Sequence, residues 1–229
     1  LKNVNRNLVV IPTRGRASAI KDRIIENASL SSCSDFVLAI DSDDAGDYEW
    51  AVSAGVFISR GKSNGMNAAL NRAAMERADE YDYVSFMGDD SAVRTPGWDS
   101  MFVEALRSKG GGVAYGDDLL SRGLLPTFVM VSTNIVKPLG YLAPPILRHM
   151  FLDDFWLLLG HTLSRCHYDQ NVIVEHMHHS AGKSDLDETY RATNRHLVNI
   201  RDRLSFFIYK KTQFPSAIRR VKRSAMGNW

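Results

Sequence analysis

Four short apolar runs, separated by segments with helical periodicity, constrain this chain more than any other feature. Residues 8–12, "LVVIP", form a continuous β-branched run closed by proline, which reads as a strand buried on both faces. "ASAIKDRIIENAS" (17–29) follows, with Ile20, Ile24 and Ile25 on one helical face. "FVLAI" (36–40) is a second buried strand and "VFIS" (56–59) a short third one. The next helix, "GMNAALNRAAMERADE" (65–80), is preceded by Ser63 and Asn64 as N-caps and places Met66, Leu70 and Ala73 on one face. "YVSFM" (83–87) is the fourth strand. Strands alternating with helices predict βαβ units and an α/β domain with a mostly parallel sheet.

In such sheets ligands bind beyond the carboxyl ends of the strands. Those ends carry the unusual residues of this sequence: Thr13, Arg14 and Arg16 after the first strand, Asp41 and Asp43 after the second, Asp89 and Asp90 after the fourth. Four Asp-Asp pairs, Asp43-Asp44, Asp89-Asp90, Asp117-Asp118 and Asp153-Asp154, hold eight of the 26 acids. Neighbouring carboxylates repel and are costly to bury, so they are expected at the exposed binding edge, compensated by a cation.

The second half reads differently. "GGGVAYGDDLL" and "LPTFVMVSTNIV" look like strands and "FLDDFWLLLG" like a short apolar helix. "NVIVEHMHH" (171–179) reads as a strand whose alternation sends His176 and His178 to one face. Asp90 and Asp89 are hard oxygen donors and the two histidines borderline nitrogen donors, a set suited to Mn²⁺ or Mg²⁺ that also binds a diphosphate. The set lacks cysteine and the spacing of a structural zinc site. Trp98 and Trp156 are expected in core packing, with stacking on a sugar or base as the alternative.

Net charge is +2, but it is split unevenly. Residues 201–229 hold eight Lys/Arg against one acid, Asp202, while residues 1–200 hold 20 bases and 25 acids. A boundary near residue 200 therefore separates a domain of residues 1–200 from a basic, amphipathic helical tail, 201–229. The tail points to an anionic membrane or nucleic acid, and is expected to serve that contact and not donor chemistry. Cys33 and Cys166, 133 positions apart, are expected as buried reduced thiols. No apolar run approaches the roughly 20 residues of a membrane span. Leu1 is not a natural start, so a few residues or a tag are expected to be missing; no signal peptide opens the chain, and the expectation is a cytoplasmic enzyme, peripheral to the membrane if its tail binds lipid.

The order "VVIPTRGR", "LAIDSDD", "NGMNAALNRAA", "YVSFMGDD", "FLDDFW" and "VEHMHHSAGK" resembles a family 2-type glycosyltransferase over about residues 7–185. "GDD…TPGWD…EHMH…GK" is also similar to bacteriophage-encoded and related bacterial members. The resemblance implies a GT-A, Rossmann-like fold, a nucleotide-sugar donor (UDP-sugar favoured), a divalent metal on its diphosphate, and inverting transfer to an acceptor hydroxyl on a glycan or a hydroxylated DNA base. It places Pro12, Thr13, Arg14, Asp41 and Asp43 against base and ribose, with Gly65 and Asn71 of the following helix in the donor site. Of the family's Arg-Asn only Asn71 is kept, where Leu70-Asn71 stands. The family's D-x-D meets Gly88-Asp89-Asp90, so Asp90 inherits the metal contact and Asp89 a supporting one. His176 or His178 completes the metal site. Lys183 and Arg16 add positive charge near the leaving group. The general base falls on Asp153-Asp154; Asp153 at the helix start is expected to cap backbone amides, leaving Asp154 as the base.

Two other readings stand beside this one. A nucleotidyltransferase of the same fold would carry a glycine-rich basic loop after the first strand, where "PTRGRAS" has one glycine. A non-catalytic module for nucleic acid or anionic surfaces would leave the acid pairs and H-x-H without a purpose.

Overall fold

A computed structural model describes residues 5–62, 64–177 and 196–226. The first strand, β1 (Asn7–Thr13), is buried along its whole length. It lies between β2 (Ser34–Asp41) and β4 (Tyr83–Phe86), parallel to both, and β3 (Phe57–Gly61) extends the parallel block beyond β2. Strand alternation explains the unbroken apolar run. Leu8 and Val10 enter a core with α3 (Met66–Arg77), whereas Val9 and Ile11 enter a second core with α1 (Ala17–Ser29).

The second half adds β5 (Ser91–Val93), β6 (Val113–Asp117), β7 (Val129–Ser132) and β8 (Cys166–His176), giving the order β3-β2-β1-β4-β7-β6-β8-β5. β7 runs antiparallel to β4 and β6, and β8 runs parallel to β6 before its far end pairs antiparallel with β5. Helix α2 (Glu49–Ser53) follows β2, and α4 (Trp98–Ser108) packs on the α1 side. α5 (Thr133–Leu139) and α6 (Leu152–Thr162) pack on the α3 side. Both tryptophans are core residues. Trp98 donates to Ser31 Oγ at 2.9 Å and Trp156 to the Leu142 carbonyl at 2.9 Å.

Two local expectations are corrected. "STNIV" turns into α5 and does not continue the strand. Thr133 donates both its amide and its hydroxyl to the Asp82 carbonyl, at 2.9 Å each, and this lifts the chain out of the sheet. At the start of α3 the N-cap is Gly65 without a side-chain cap; Asn64 does not serve, and Ser63 lies outside the described residues. Gly65 has φ 90°, ψ 165°, a conformation open essentially to glycine, and an added Cβ would sit 3.2 Å from the Arg148 carbonyl oxygen.

Beyond residue 195 the chain forms α7 (His196–Thr212) and α8 (Phe214–Met226). Phe206, Tyr209, Phe214, Ala217, Ile218 and Val221 enter the same core as α3, α5 and α6. The Tyr209 and Tyr141 hydroxyls meet at 2.7 Å inside it. Arg220 donates to the carbonyls of Pro138 and Leu139 at the end of α5, where a helix presents unpaired acceptors. The basic segment is thus packed on the domain through one face. No helix among the described residues is long and apolar enough to cross a membrane.

Candidate active site

A cavity of about 480 Å³ opens where the carboxyl ends of β1, β2 and β4 meet the start of α6 and the end of β8. That volume suits a small-molecule ligand or cofactor. Pro12, Thr13, Arg14 and Arg16 contribute from β1 and its loop, Asp41 from β2, and Gly65 from the start of α3. Asp89 and Asp90 come from the turn after β4, Asp153 from α6, and His176 from β8.

The acid pairs sort themselves by direction, and the expectation that these acids lie unburied is corrected. Asp41, Asp44, Asp89 and Asp118 are buried, each with polar partners. Asp89 accepts from Thr13 Oγ1 and from Arg16 Nη1, both at 2.7 Å. Burial raises its carboxyl above the ordinary range, and Arg16 and the Thr13 hydroxyl pull it back in part. Its neighbour Asp90 turns the other way and meets His176 Nε2 at 3.2 Å. Asp44 accepts from the amides of Gly15 and Gly46 and from the Tyr48 hydroxyl, while Asp43 faces solvent and pairs with Arg14 at 2.8 Å. Arg14 also reaches Asp41 at 2.7 Å. Asp118 ties its own loop, accepting from Leu120 N, Ser121 N and Thr127 Oγ1. Within Asp43-Asp44 and Asp89-Asp90 the two carboxylates take different partners, which offsets their mutual repulsion.

Strand register brings Asp90 and His176 together. Ser91 pairs with His176 across β5 and β8, and the Met177 amide donates to the Asp90 carbonyl at 2.9 Å. Burial lowers the basicity of His176, but the Asp90 carboxylate outweighs it and raises the imidazole above its ordinary value. The same contact holds Asp90 below the ordinary carboxylate range against the opposing effect of burial. Gly88 stands where a longer acid would crowd this arrangement, since a Cβ there would lie 2.6 Å from Asp90 Oδ1.

At the start of α6 neither acid serves as a helix cap. Phe151, with φ 67°, is the N-cap, and α6 has no side-chain cap, so Asp153 does not cap the helix. Asp153 lines the cavity, and Asp154 is exposed outside it. Burial, with the Asp154 charge adding to it, pushes the Asp153 carboxyl up to about 6. Asn71 also departs from its expected place. Its side chain accepts from the amides of Leu142 and Ala143 at 2.9 Å and donates to the Ala143 carbonyl at 2.8 Å, away from the cavity lining. His178 and Lys183 lie outside the described residues.

His149 and Met150, unremarked in the sequence, join Phe151 and Leu152 to form one wall of the cavity. Its backbone is held by Asp202 of α7, which is fully buried and accepts from the amides of Arg148, His149 and Met150. Phe151 stacks on Phe206 of the same helix, with ring centroids 5.7 Å apart. Burial lowers the His149 imidazole below its ordinary value, against the opposing pull of the Asp202 charge. The basic segment therefore braces one wall of the cavity.

No protein-family model matches the chain, and no curated protein sequence matches it. Solved structures do. The Staphylococcus aureus TarS fragment 1–349 in complex with UDP superposes with a TM-score of 0.58 at 14% identity, over 74% of this chain and 59% of that one. The longer TarS structure gives 0.56 at 14% identity, and there the match spans only 36% of that protein. Glucosyl-3-phosphoglycerate synthase from Mycobacterium tuberculosis, in complex with Mn²⁺, UDP and phosphoglyceric acid, gives 0.54 at 14% identity over 84% of this chain and 75% of that one. Likeness at this level of identity establishes the fold, and the fold is GT-A.

Proposed function

We propose that the cavity binds a nucleoside-diphosphate sugar, with a UDP-sugar favoured, and that the protein transfers the sugar to an acceptor hydroxyl with inversion. The observation that carries this reading is the placement of the Asp90–His176 pair and Asp153 around one cavity at the strand ends. UDP in two of the similar structures supports the choice of nucleotide. Pro12, Thr13, Arg14 and Asp41 form the wall for base and ribose, with Gly65 letting the start of α3 approach closely. Asp43 acts through Arg14.

Among the described residues no group of three His, Cys, Asp or Glu side chains gathers as a complete metal site. The donor chemistry nevertheless fits Mn²⁺ or Mg²⁺, because one carboxylate and one imidazole side by side suit an ion that takes its remaining oxygens from a diphosphate and water. Asp90 and His176 would hold it, with His178 as a further expected ligand. Such an ion supplies positive charge to the departing nucleoside diphosphate. Arg16 keeps Asp89 from adding uncompensated negative charge there, and Lys183 is proposed to add to the positive side.

Asp153 is our choice of general base over Asp154, because only Asp153 faces the cavity. Its carboxylate takes the acceptor proton as the hydroxyl oxygen attacks the anomeric carbon from the face opposite the leaving group. The hydroxyl belongs to a glycan or to a hydroxylated DNA base. Calorimetric titration with UDP-sugars, with and without Mn²⁺, followed by transfer assays on both acceptor classes, tests the reading. Metal-dependent binding and formation of UDP are expected; failure of every nucleotide-sugar to bind with Mn²⁺ present would refute it.

A further inference from the structure

The outer face of α7 carries a surface unlike the rest of the basic segment. Asp202, Phe206 and Tyr209 turn one side of the helix inward. On the opposite side stand Ile200, Leu204, Phe207 and Ile208, with 52%, 60%, 50% and 42% of their surfaces exposed. Their spacing of four, three and one makes a continuous apolar stripe along two turns. Arg201, Arg203, Lys210 and Lys211 are exposed around it. Lys211 Nζ sits 4.3 Å from the Phe207 ring centroid, so charge and ring share one patch. The single acid of the segment, Asp202, is buried, which leaves no carboxylate on this outer face. α8 adds Arg219, Lys222 and Arg223, all exposed.

We propose that α7 seats the protein on the surface of an anionic lipid bilayer. The apolar stripe enters the boundary between headgroups and acyl chains, and the surrounding bases meet lipid phosphates. The pattern selects this partner over two others. A nucleic acid would satisfy the bases but give four exposed apolar side chains nothing to bury against. A second copy would bury the stripe but oppose two positively charged rims. The proposal does not depend on sugar transfer.

Co-sedimentation of the whole chain with vesicles tests it. The parent is expected to bind phosphatidylglycerol-containing vesicles at low salt at least about tenfold better than pure phosphatidylcholine vesicles, and to lose the preference at high salt. L204S/F207S/I208S should lose most vesicle binding with an unchanged melting temperature, since all three side chains are exposed. R203S/K210S/K211S, which spares the stripe, should lose the preference for anionic lipid. A parent that stays in the supernatant with anionic vesicles at low salt overturns the proposal, as does undiminished vesicle binding by both variants. So does tighter binding to duplex DNA than to vesicles that survives in the apolar variant. A dimer seen by light scattering and broken by L204S/F207S/I208S would assign the stripe to a second copy instead.

Discussion

The Asp202 carboxylate accepts a hydrogen bond from the His149 amide at 2.9 Å, across 53 positions of sequence. The amides of Arg148 and Met150 converge on the same group, so one buried side chain fixes three successive peptide groups of the cavity wall. Asp202→Ala would leave these donors without an acceptor, at a cost of at least about 2 kcal/mol. Asp202→Asn, which keeps one carbonyl oxygen, should cost less. Urea denaturation measures the stability. Titration with a UDP-sugar at a temperature where the variant remains folded should show weakened binding, and unaltered affinity would mean that the wall holds itself.

Asp153→Asn should abolish transfer while leaving donor affinity within about twofold, because a base acts on the acceptor. Asp154→Asn, altering an exposed group outside the cavity, should retain most activity. A transfer defect confined to Asp154→Asn would reverse the assignment.

The same carboxyl sets a pH dependence. With its pKa at about 6, Asp153 is an effective base only above that value, so kcat/KM should rise with pH through about 6 and then level. The folded-state pKa lies above the ordinary one. Asp153 therefore favours the native state most at low pH, and that contribution is lost as pH rises through about 6. The Asp153→Asn variant should show neither effect; an unchanged acidic limb in its residual activity would point to another group.

Asp90→Asn should remove the Mn²⁺ dependence of donor binding with the fold intact, since Asp90 is a partly exposed side chain in the turn after β4. Gly88→Ala probes the site without replacing a proposed ligand. Its Cβ would meet Asp90 Oδ1 at 2.6 Å, and the flexible carboxylate must swing aside. Weaker Mn²⁺ enhancement at nearly unchanged stability is expected. Equal enhancement in parent and both variants would dismiss Asp90 as a ligand.

Gly65→Ala should destabilise the protein by about 1–3 kcal/mol, from its φ of 90° and the close Arg148 carbonyl. A melting temperature equal to the parent's would show that the turn can relax.

The parallel half was legible because its signals are local. Val9 and Ile11 alternate with Leu8 and Val10 in one apolar run, and the periodicity over 17–29 delivers α1 with those bounds. Thr13, Arg14, Asp41, Asp89 and Asp90 reach the cavity because a parallel sheet gathers its strand ends at one edge. His149 was not legible, since its place depends on Asp202, and no periodicity links a loop to a helix 53 positions away. Nor was it legible which of Asp153 and Asp154 faces the cavity. It turns on Phe151 adopting φ 67°, which a phenylalanine in sequence does not announce. Asn71 misled because an amide that satisfies two backbone donors looks, in sequence, like one that binds a ligand.

The pairing of Ser91 with His176 bears on the order in which the cavity is assembled. β1 and β2, whose ends carry Thr13 and Asp41, pair within the first third of the chain, whereas Asp90 and His176 close a loop of 86 residues. Such a closure bears the entropy of a long excursion and comes late in assembly. During refolding, helical content should therefore return ahead of UDP-sugar binding, with the Asp90–His176 junction among the last contacts to form.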